Sequence, residues 1–226
     1  AMVALGMSTA AFGQYSITVL HNNDGESQLF EDGAGIGGVA KFKTLHDATR
    51  NYYQGLGHGV VSVYAGDTFL AGPEFQASLD SGAPGARTFY DALAISRIGY
   101  DASILGNHEF DFGPDVLAEF IGDAQTHNTT TYLSANLDFS GEAALNALVG
   151  GGQLAASKMV TVPTSAGNKM VGIIGATTAN LPFISSPGGV VVNPVLAAVN
   201  AEAATLKGLG ADHIILGSHL QGLLED

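Results

Sequence analysis

Apolar segments of two periodicities alternate along the chain, and together they predict an α/β fold. Short runs rich in Val and Ile, bounded by Gly and polar residues, are typical of buried strands. Longer segments with apolar side chains three or four positions apart predict amphipathic helices. The predicted strands are 16–20, 59–67, 101–107, 131–139 and 212–219, and the predicted helices are 37–54, 85–99, 113–125 and 193–210. Because helices separate successive strands, we expect sheets that are largely parallel at the centre.

Two further patterns predict a hairpin and the buried faces of helices. Residues 157–178 consist of two apolar runs around a polar stretch, which predicts a hairpin with its turn at 165–168. In the first two helices, apolar side chains recur at helical spacing, and we expect them to face the core. They are Val39, Phe42, Leu45 and Tyr52 in the first helix, and Phe89, Leu93 and Ile98 in the second.

Strong polar side chains follow the carboxyl ends of most predicted strands. Asp24 follows the first strand, Asp67 the second, Asn107 and His108 the third, and His219 the last. In open α/β sheets, ligands collect outside the carboxyl ends of the strands. One polar residue in such a place is an ordinary cap, but several at one sheet edge predict a functional site.

The charge balance limits what this site can bind. The chain has 21 acidic residues, 8 lysines and arginines, and a formal net charge of −13. This sign argues against a nucleic acid surface, which needs basic patches. It also repels anionic substrates unless bound divalent cations reverse the sign locally. Asp, Asn and His suit Zn²⁺, Mn²⁺, Fe, Ca²⁺ or Mg²⁺. Two such ions about 3.5–4 Å apart share a bridging carboxylate and clamp an attacking water and a leaving oxygen.

Six blocks carry a family resemblance that spans about residues 16–222. They are ITVLHNNDGES, YAGDTFLAGPEF, ILGNHEFDFG, LSANLD, VGIIGATTANLPFISSPG and IILGSHLQG. In this order they resemble the calcineurin-like metallophosphoesterases, and specifically the N-terminal catalytic domain of the 5′-nucleotidase and UDP-sugar hydrolase family. The resemblance implies an α/β/β/α sandwich that binds two divalent metal ions and hydrolyses phosphate monoesters, with 5′-nucleotides as the expected small-molecule substrates.

The resemblance also implies metal ligands. Asp24 would bind the first metal, and Asp67 would bridge both metals. Asn107 would bind the second metal and contact a substrate oxygen, and His219 would be a further ligand of the second metal.

Two catalytic residues are implied beside these ligands. His108 would stand near the phosphate, stabilise its charge and protonate the leaving group. Asp111 would bond to His108 and keep the imidazole protonated, because a nearby carboxylate favours the charged form.

The opening block departs from the family pattern at one position. The family usually has Asp-x-His there, whereas this chain has Asp24, Gly25 and Glu26. A carboxylate can replace an imidazole on a hard metal, so Glu26 is an expected ligand that favours Ca²⁺, Mg²⁺ or Mn²⁺. The alternative is that Glu26 points to solvent and the first metal binds weakly.

The end of the chain also departs from the family pattern. The family has a later Gly-His-x-His or Gly-His-x-Asn block and a nucleoside-binding C-terminal domain, and neither is found before Asp226. We therefore expect the N-terminal part of a longer protein, or one chain of a nicked one, with an incomplete metal site and fold. An alternative function is a metal-binding scaffold or surface domain that has lost catalysis. A cyclic phosphodiesterase or another phosphatase of the superfamily is a third possibility.

The first residues predict export. AMVALGMSTAAFGQ is an apolar run ending in small residues, which resembles a secretory signal peptide without its basic region. We assign residues 1–14 to a signal-peptide remnant and 15–226 to the metallophosphoesterase domain, and we expect a periplasmic, cell-surface or secreted protein. The alternatives are a first strand or a remnant of an expression tag. The run is too short to span a bilayer, so no transmembrane span is predicted.

Several other features are expected to be structural. GAGIGG at 33–38 fits a dinucleotide-binding pattern only weakly, and a glycine loop before the first helix is the preferred interpretation. Asn128 begins a possible glycosylation sequence. His46 and His127 are expected on the surface, and Asp91 and Asp101 are expected to be structural.

Overall fold

Two sheets packed face to face form the centre of the computed structural model, which describes residues 14–128 and 130–222. The strands are β1 Ile17–Asn22, β2 Gly59–Tyr64, β3 Ala102–Ile104, β4 Thr131–Leu133, β5 Leu137–Asp138, β6 Leu154–Ala155, β7 Ser157–Thr164, β8 Gly167–Thr177, β9 Val191–Val192 and β10 His213–His219. The helices are α1 Val39–Gly55, α2 Pro73–Leu79, α3 Tyr90–Ile98, α4 Pro114–His127, α5 Ala143–Gly150, α6 Leu181–Ile184 and α7 Val195–Gly208, with a 3₁₀ turn at His108–Phe110.

The larger sheet is parallel throughout, as the alternation of elements predicts. Its five strands lie in the order β1-β2-β3-β4-β6. The second sheet has the order β10-β8-β7, in which β8 and β10 are parallel and β7 and β8 form the predicted hairpin. A short pair, β5 and β9, forms a separate antiparallel ribbon.

The core consists of an apolar layer between the sheets and a second layer beneath the helices. The inner layer joins Val61 and Ile104 of the larger sheet to Val171 and Ile173 of the smaller one. Helices α3, α4 and α5 cover the outer face of the larger sheet, and Leu206 of α7 packs on β8. These four layers confirm the predicted α/β/β/α sandwich. Because both faces of β2 are covered, all six of its residues are buried.

Some predicted boundaries are wrong for local reasons. The predicted strand 131–139 is two strands in different sheets, because Asn136 turns inward and bonds the backbone of Thr177 across the core. The helix predicted from residue 85 begins at Tyr90, since Glu119 accepts the backbone N–H groups of Gly85 and Arg87 and holds them in a turn.

The buried face of α1 also differs from the prediction. Val39 and Phe42 pack against the core, but Leu45 and Tyr52 are 65% and 63% exposed. His46, predicted on the surface, is instead buried against β2, where its Nε2 lies 2.7 Å from Ser62 Oγ. The face of α1 that packs on the sheet is therefore rotated around the helix axis relative to the face predicted from its apolar residues.

The other segments that the sequence analysis singled out lie as follows in the structure. Residues 1–13, which carry most of the predicted signal-peptide remnant, lie outside the described residues. The GAGIGG segment forms the loop that enters α1. The Asn128 side chain is partly buried and donates to Ser96 O at 3.1 Å. None of the helices in the described ranges is long and apolar enough to cross a membrane.

Candidate metal centre

The predicted site residues come together at one edge of the two sheets. Asp24 and Glu26 lie in the loop after β1, Asp67 in the loop after β2, and His108 just beyond β3. His219 is the last residue of β10, in the second sheet. All five line one open cavity of about 750 Å³, together with Asn107. The strand-end argument from sequence therefore brings its residues to one place.

Asp67 is the central carboxylate of this cavity. It is buried, its backbone is left-handed with φ 57°, and its Oδ2 lies 2.9 Å from His219 Nε2. Its Oδ1 accepts the backbone N–H of His108 at 2.8 Å. A Cβ on Gly106 would overlap Asp67 Oδ1, so glycine is required beside this carboxylate.

Two groups of ligand atoms share Asp67. Asp24, Asp67 and His219 form one group, and Glu26, Asp67 and His108 form the other, with all ligand atoms of each group within 4.8 Å of one another. Carboxylate oxygens and imidazole nitrogens are donors that Zn²⁺, Mn²⁺ and Fe accept, and carboxylates also suit Ca²⁺ and Mg²⁺. The residues present thus fit divalent cations, with one buried carboxylate common to both groups.

The loop after β1 carries its two acids in unusual backbone conformations. Asp24 has φ 51° and Glu26 has φ 46°, both in the left-handed region that costs energy for residues other than glycine. Backbone N–H groups of both residues bond to the loop after β2, Asp24 N to Gly66 O at 3.0 Å and Glu26 N to Asp67 O at 3.2 Å. This pairing orients the Asp24 and Glu26 carboxylates toward the centre.

His219 and Asn107 have partners that fix their orientation. His219 donates from Nδ1 to Ala65 O at 2.7 Å, which leaves Nε2 facing the centre. A backbone carbonyl on the second ring nitrogen is a common way to set the tautomer of a metal-binding histidine. Asn107 is buried, and its Oδ1 accepts from Gln221 Nε2 at 2.8 Å.

His108 lies at the end of a hydrogen-bonded chain. Its Nδ1 donates to Asp111 Oδ2 at 2.6 Å, as predicted, and Ser185 Oγ donates to Asp111 Oδ1 at 2.8 Å. Its Nε2 lies 4.0 Å from Asp67 Oδ2, on the cavity side. The role of Ser185 was missed from sequence because 74 residues separate it from Asp111 and no pattern connects them.

Glu109 is a second residue that sequence reasoning missed. Its buried carboxylate accepts three backbone N–H groups: Thr68 N at 2.6 Å, Gly106 N at 2.6 Å and Asp67 N at 3.0 Å. These donors belong to the loops after β2 and β3, so one side chain joins the loop of Asp67 to the loop of Asn107 and His108. The polar cluster at 107–111 was a signal, but the partners are backbone groups that a sequence pattern does not specify.

The titration of the two histidines follows from these contacts. Burial disfavours the charged form of His108, but its bond to Asp111 and the charges of Asp67 and Glu26 outweigh burial and raise its pKa. Burial acts in the same direction on His219, and its contact with Asp67 outweighs it and raises the pKa to about 9. Without a bound cation, the surrounding carboxylates therefore favour the charged form of both imidazoles, and a metal ion at His219 Nε2 would replace the proton there.

Comparisons with known proteins find relatives over most of the chain, although no family model matches it. Mouse 5′-nucleotidase is 30% identical over 97% of the chain and 36% of its own length. The solved structure of a 5′-nucleotidase precursor from Thermus thermophilus has a TM-score of 0.71 and 30% identity, over 89% of this chain and 36% of that one. This chain belongs to the 5′-nucleotidase family. A calcineurin-like phosphoesterase structure from Bacillus subtilis, YfkN, shares the fold with a TM-score of 0.67 and 21% identity, covering 89% of this chain and 61% of that one.

The chain spans about a third of the length of the curated 5′-nucleotidase relatives that it matches over most of its own length. Within this span the structure brings together Asp24, Asp67, Asn107, His108 and His219. Glu26, the residue that departs from the expected motif, belongs to one of the two groups of candidate ligands.

Proposed function

We propose that the chain forms the catalytic region of a metal-dependent phosphoesterase that hydrolyses phosphate monoesters, with 5′-nucleotides as substrates. The observation that carries the proposal is the position of the buried Asp67 carboxylate between two groups of candidate ligands, one with Asp24 and His219 and the other with Glu26. His108 lies beside the second group and is assigned to proton transfer rather than to a metal. A bridging carboxylate between two donor sets is the arrangement that a two-metal hydrolase needs.

Five residues would hold the two divalent ions in this proposal: Asp24, Glu26, Asp67, Asn107 and His219. When bound, such ions lower the pKa of water to supply a nucleophile and neutralise the charge of a phosphate. The chain itself prepares the site by placing three carboxylates and an imidazole around a cavity. Because the formal net charge is −13, the protein offers little positive field of its own to attract a phosphate.

His108 and Asp111 would handle the proton of the leaving group. The bond from Nδ1 to Asp111 orients the ring, so the Nε2 proton points into the cavity. A protonated imidazole there can stabilise phosphate charge and donate its proton to the departing alkoxide. Asn107, on the same wall, would contact a substrate oxygen through its side-chain amide. Asp111, in turn held by Ser185, would keep the imidazole charged before the transfer.

Nucleotides are the proposed substrate class for two reasons. Relatives that match most of the chain are named 5′-nucleotidases, including the human protein at 31% identity. The cavity of about 750 Å³ also lies within the usual range for sites that bind drug-sized molecules. The selectivity for the nucleoside would depend on the remainder of a longer chain or on a second fragment, which the relatives' greater length suggests.

A location outside the cytoplasm is part of the same proposal. The apolar N-terminal run supports export, and one relative, at 29% identity, is a snake venom 5′-nucleotidase. Periplasmic, cell-surface and secreted forms all agree with these two observations.

A metal-binding scaffold without catalysis is the second candidate function, and Glu26 favours it. The additional carboxylate raises the negative charge next to Asp67, which strengthens binding of a hard cation and disfavours approach of a phosphate. The two candidates agree on metal binding and differ on turnover.

The test combines calorimetric metal titration with phosphate release from AMP in the presence of Mn²⁺, Zn²⁺ or Ca²⁺. We expect metal binding that Asp67→Asn weakens at least about tenfold, because removal of a ligand charge is worth at least ~1.4 kcal/mol. We expect metal-dependent release that His108→Ala lowers by about 100-fold or more. The control is His213→Ala, which removes an exposed histidine at the opposite end of the strand that carries His219.

Each outcome separates the candidates. Binding of metal without release of phosphate would favour the scaffold over the enzyme. Absence of metal binding, or equal release by the His108→Ala variant, would contradict the proposed site. A loss of release in the His213→Ala control would show that the changes act through the fold.

A further inference from the structure

A second cavity lies between α1, α3 and the loop after β1. Its volume is about 450 Å³, which is within the usual range for small-molecule sites. Asp24 lines both this cavity and the proposed metal centre, so the two cavities share a wall residue. Most of the lining is apolar and comes from Leu29, Val39, Phe42, Ile95, Ile98 and Tyr100.

One buried carboxylate in this apolar lining pairs with no cation in the described part of the chain. Asp91, in the first turn of α3, is 2% exposed, and Ser27 Oγ donates to its Oδ2 at 3.2 Å. Within residues 14–128 and 130–222, no Lys, Arg or His forms an ion pair with it. Lys41 lines the same cavity, but its Nζ is engaged by Gly35 O at 2.7 Å and Glu31 Oε2 at 2.9 Å. Burial raises the pKa of Asp91 to about 7.

Thr68 adds to the lining a polar group that lacks a hydrogen-bond partner within residues 14–128 and 130–222. Its Oγ1 is buried and has no hydrogen-bond partner among the described residues. Leaving a hydroxyl buried and unpaired costs about 1–3 kcal/mol, and a buried unpaired carboxylate costs more. Asp91 belongs to neither group of potential metal ligands in the described part of the chain.

We propose that this cavity binds a small organic cation, an ammonium group on an apolar body, with Asp91 as its counter-ion. The ammonium has three N–H donors, so it can pair with the Asp91 carboxylate and keep donors for other polar atoms of the lining, among which is the Thr68 hydroxyl oxygen. The apolar body would lie against Phe42 and Ile95, where its burial is favourable. A neutral ligand of the same shape would gain the apolar contacts and leave the carboxylate unpaired.

The test compares benzylamine with benzyl alcohol, which has the same ring and no charge. Both are titrated by calorimetry at about pH 8, where the amine is charged and Asp91 largely ionised, with EDTA present to exclude metal coordination by the amine. We expect benzylamine to bind at least about tenfold more tightly than the alcohol, which corresponds to ~1.4 kcal/mol for a charge-assisted hydrogen bond.

Three variants decide where the preference arises. Asp91→Asn should abolish the preference for the amine while the protein remains folded, because it removes only a buried charge. Ala94→Leu fills the cavity from α3 without changing any charge, and it should weaken both probes. Glu74→Gln is the matched control, since this nearby acid contributes charge at Asp91 from outside the cavity, and it should change affinity less than about twofold.

The opposite results would overturn the proposal. Equal affinity for the two probes, binding of neither, or a preference that persists in Asp91→Asn would each exclude Asp91 as the counter-ion. Unchanged binding to Ala94→Leu would place the amine elsewhere on the protein. None of these results depends on the proposed phosphoesterase activity.

Discussion

Two groups of His, Asp and Ser lie in this molecule, and their different surroundings give them opposite properties. In the first, beneath α1, His46 Nε2 lies 2.7 Å from Ser62 Oγ and His46 Nδ1 lies 3.5 Å from Asp47 Oδ1. Both His46 and Ser62 are buried, and burial lowers the pKa of His46. Although the residue types match those of a hydrolase triad, the serine is inaccessible to any substrate.

The second group, at the proposed metal centre, has a different order and exposure. Asp111 lies between His108 and Ser185, and the His108 ring borders the large cavity. The same chemical groups thus favour a neutral, buried histidine in one place and a charged, accessible histidine in the other. Access and the number of neighbouring carboxylates, rather than residue types, distinguish a candidate catalytic group from a packing group.

The largest expected effect on activity comes from replacing the aspartate beside His108, and the aspartate beside His46 provides the matched comparison. Asp111→Asn removes the charge that favours protonated His108, so we expect phosphate release to fall by about 100-fold. Metal affinity should change less than about twofold, because Asp111 belongs to neither ligand group. The measurement is phosphate release from AMP together with a calorimetric metal titration.

The matched change at the other group is Asp47→Asn. Asp47 is partly exposed and paired with Lys43 at 2.7 Å, so its removal should leave phosphate release within about twofold. Equal losses in both variants would mean that Asp111 acts through overall stability, and the distinction between the two groups would fail.

Glu109→Gln is expected to have a smaller effect on activity that arises through the metals. The amide keeps one acceptor oxygen but directs an NH₂ group toward backbone N–H donors, which weakens the link between the two loops. We expect metal affinity to fall about 10- to 100-fold, as for other residues that orient metal ligands.

The control for Glu109 is Glu119→Gln. Glu119 also accepts backbone N–H groups, from Gly85 and Arg87, but it does so away from the metal centre. Its variant should keep metal affinity within about twofold. An unchanged affinity in Glu109→Gln, measured on a folded protein by circular dichroism, would refute the positioning role.

The sequence predicted the general arrangement of the site because it depends on local signals. Apolar runs end just before Asp24, Asp67 and Asn107, and parallel pairing places these strand ends at one edge of the larger sheet. His219 comes from β10 of the second sheet and reaches them because the two sheets pack face to face. The order of the strands and helices was therefore enough to predict that four residues lie close together: Asp24, Asp67, Asn107 and His108. The prediction of Glu26 as a ligand also required a comparison with the family motif, because its position two residues after Asp24 does not by itself distinguish a metal ligand from a surface acid.

Other features depend on tertiary contacts that no local pattern encodes. Glu109 bonds to backbone groups, which are present at every residue and give no sequence signal. Ser185, the residue just after α6, contacts Asp111 from a distant part of the chain. His46 was predicted on the surface because a histidine on a helix is more often a surface group than a ligand, whereas the observed orientation places the imidazole over Ser62.

The smallest expected effect concerns stability at the buried histidine. His46→Ala leaves Ser62 Oγ without its imidazole partner and creates a small cavity, so the free energy of unfolding should fall by about 2 kcal/mol at neutral pH. Phosphate release should change less than about twofold under conditions where the variant is folded. The measurement is urea unfolding followed by circular dichroism.

The pH dependence of this variant sharpens the contrast between the two histidines. The pKa of His46 is lowered from 6.5 in the folded protein, so the unfolded chain binds its proton more readily. The His46 contribution to stability is therefore fully present above pH 6.5 and decreases as the pH falls through 6.5 toward the folded pKa. His108 and His219 have raised pKa values and contribute in the opposite direction, so the decisive quantity is the difference between the wild type and His46→Ala. That difference should shrink on acidification, and a constant or growing difference would show that His46 is charged in the fold.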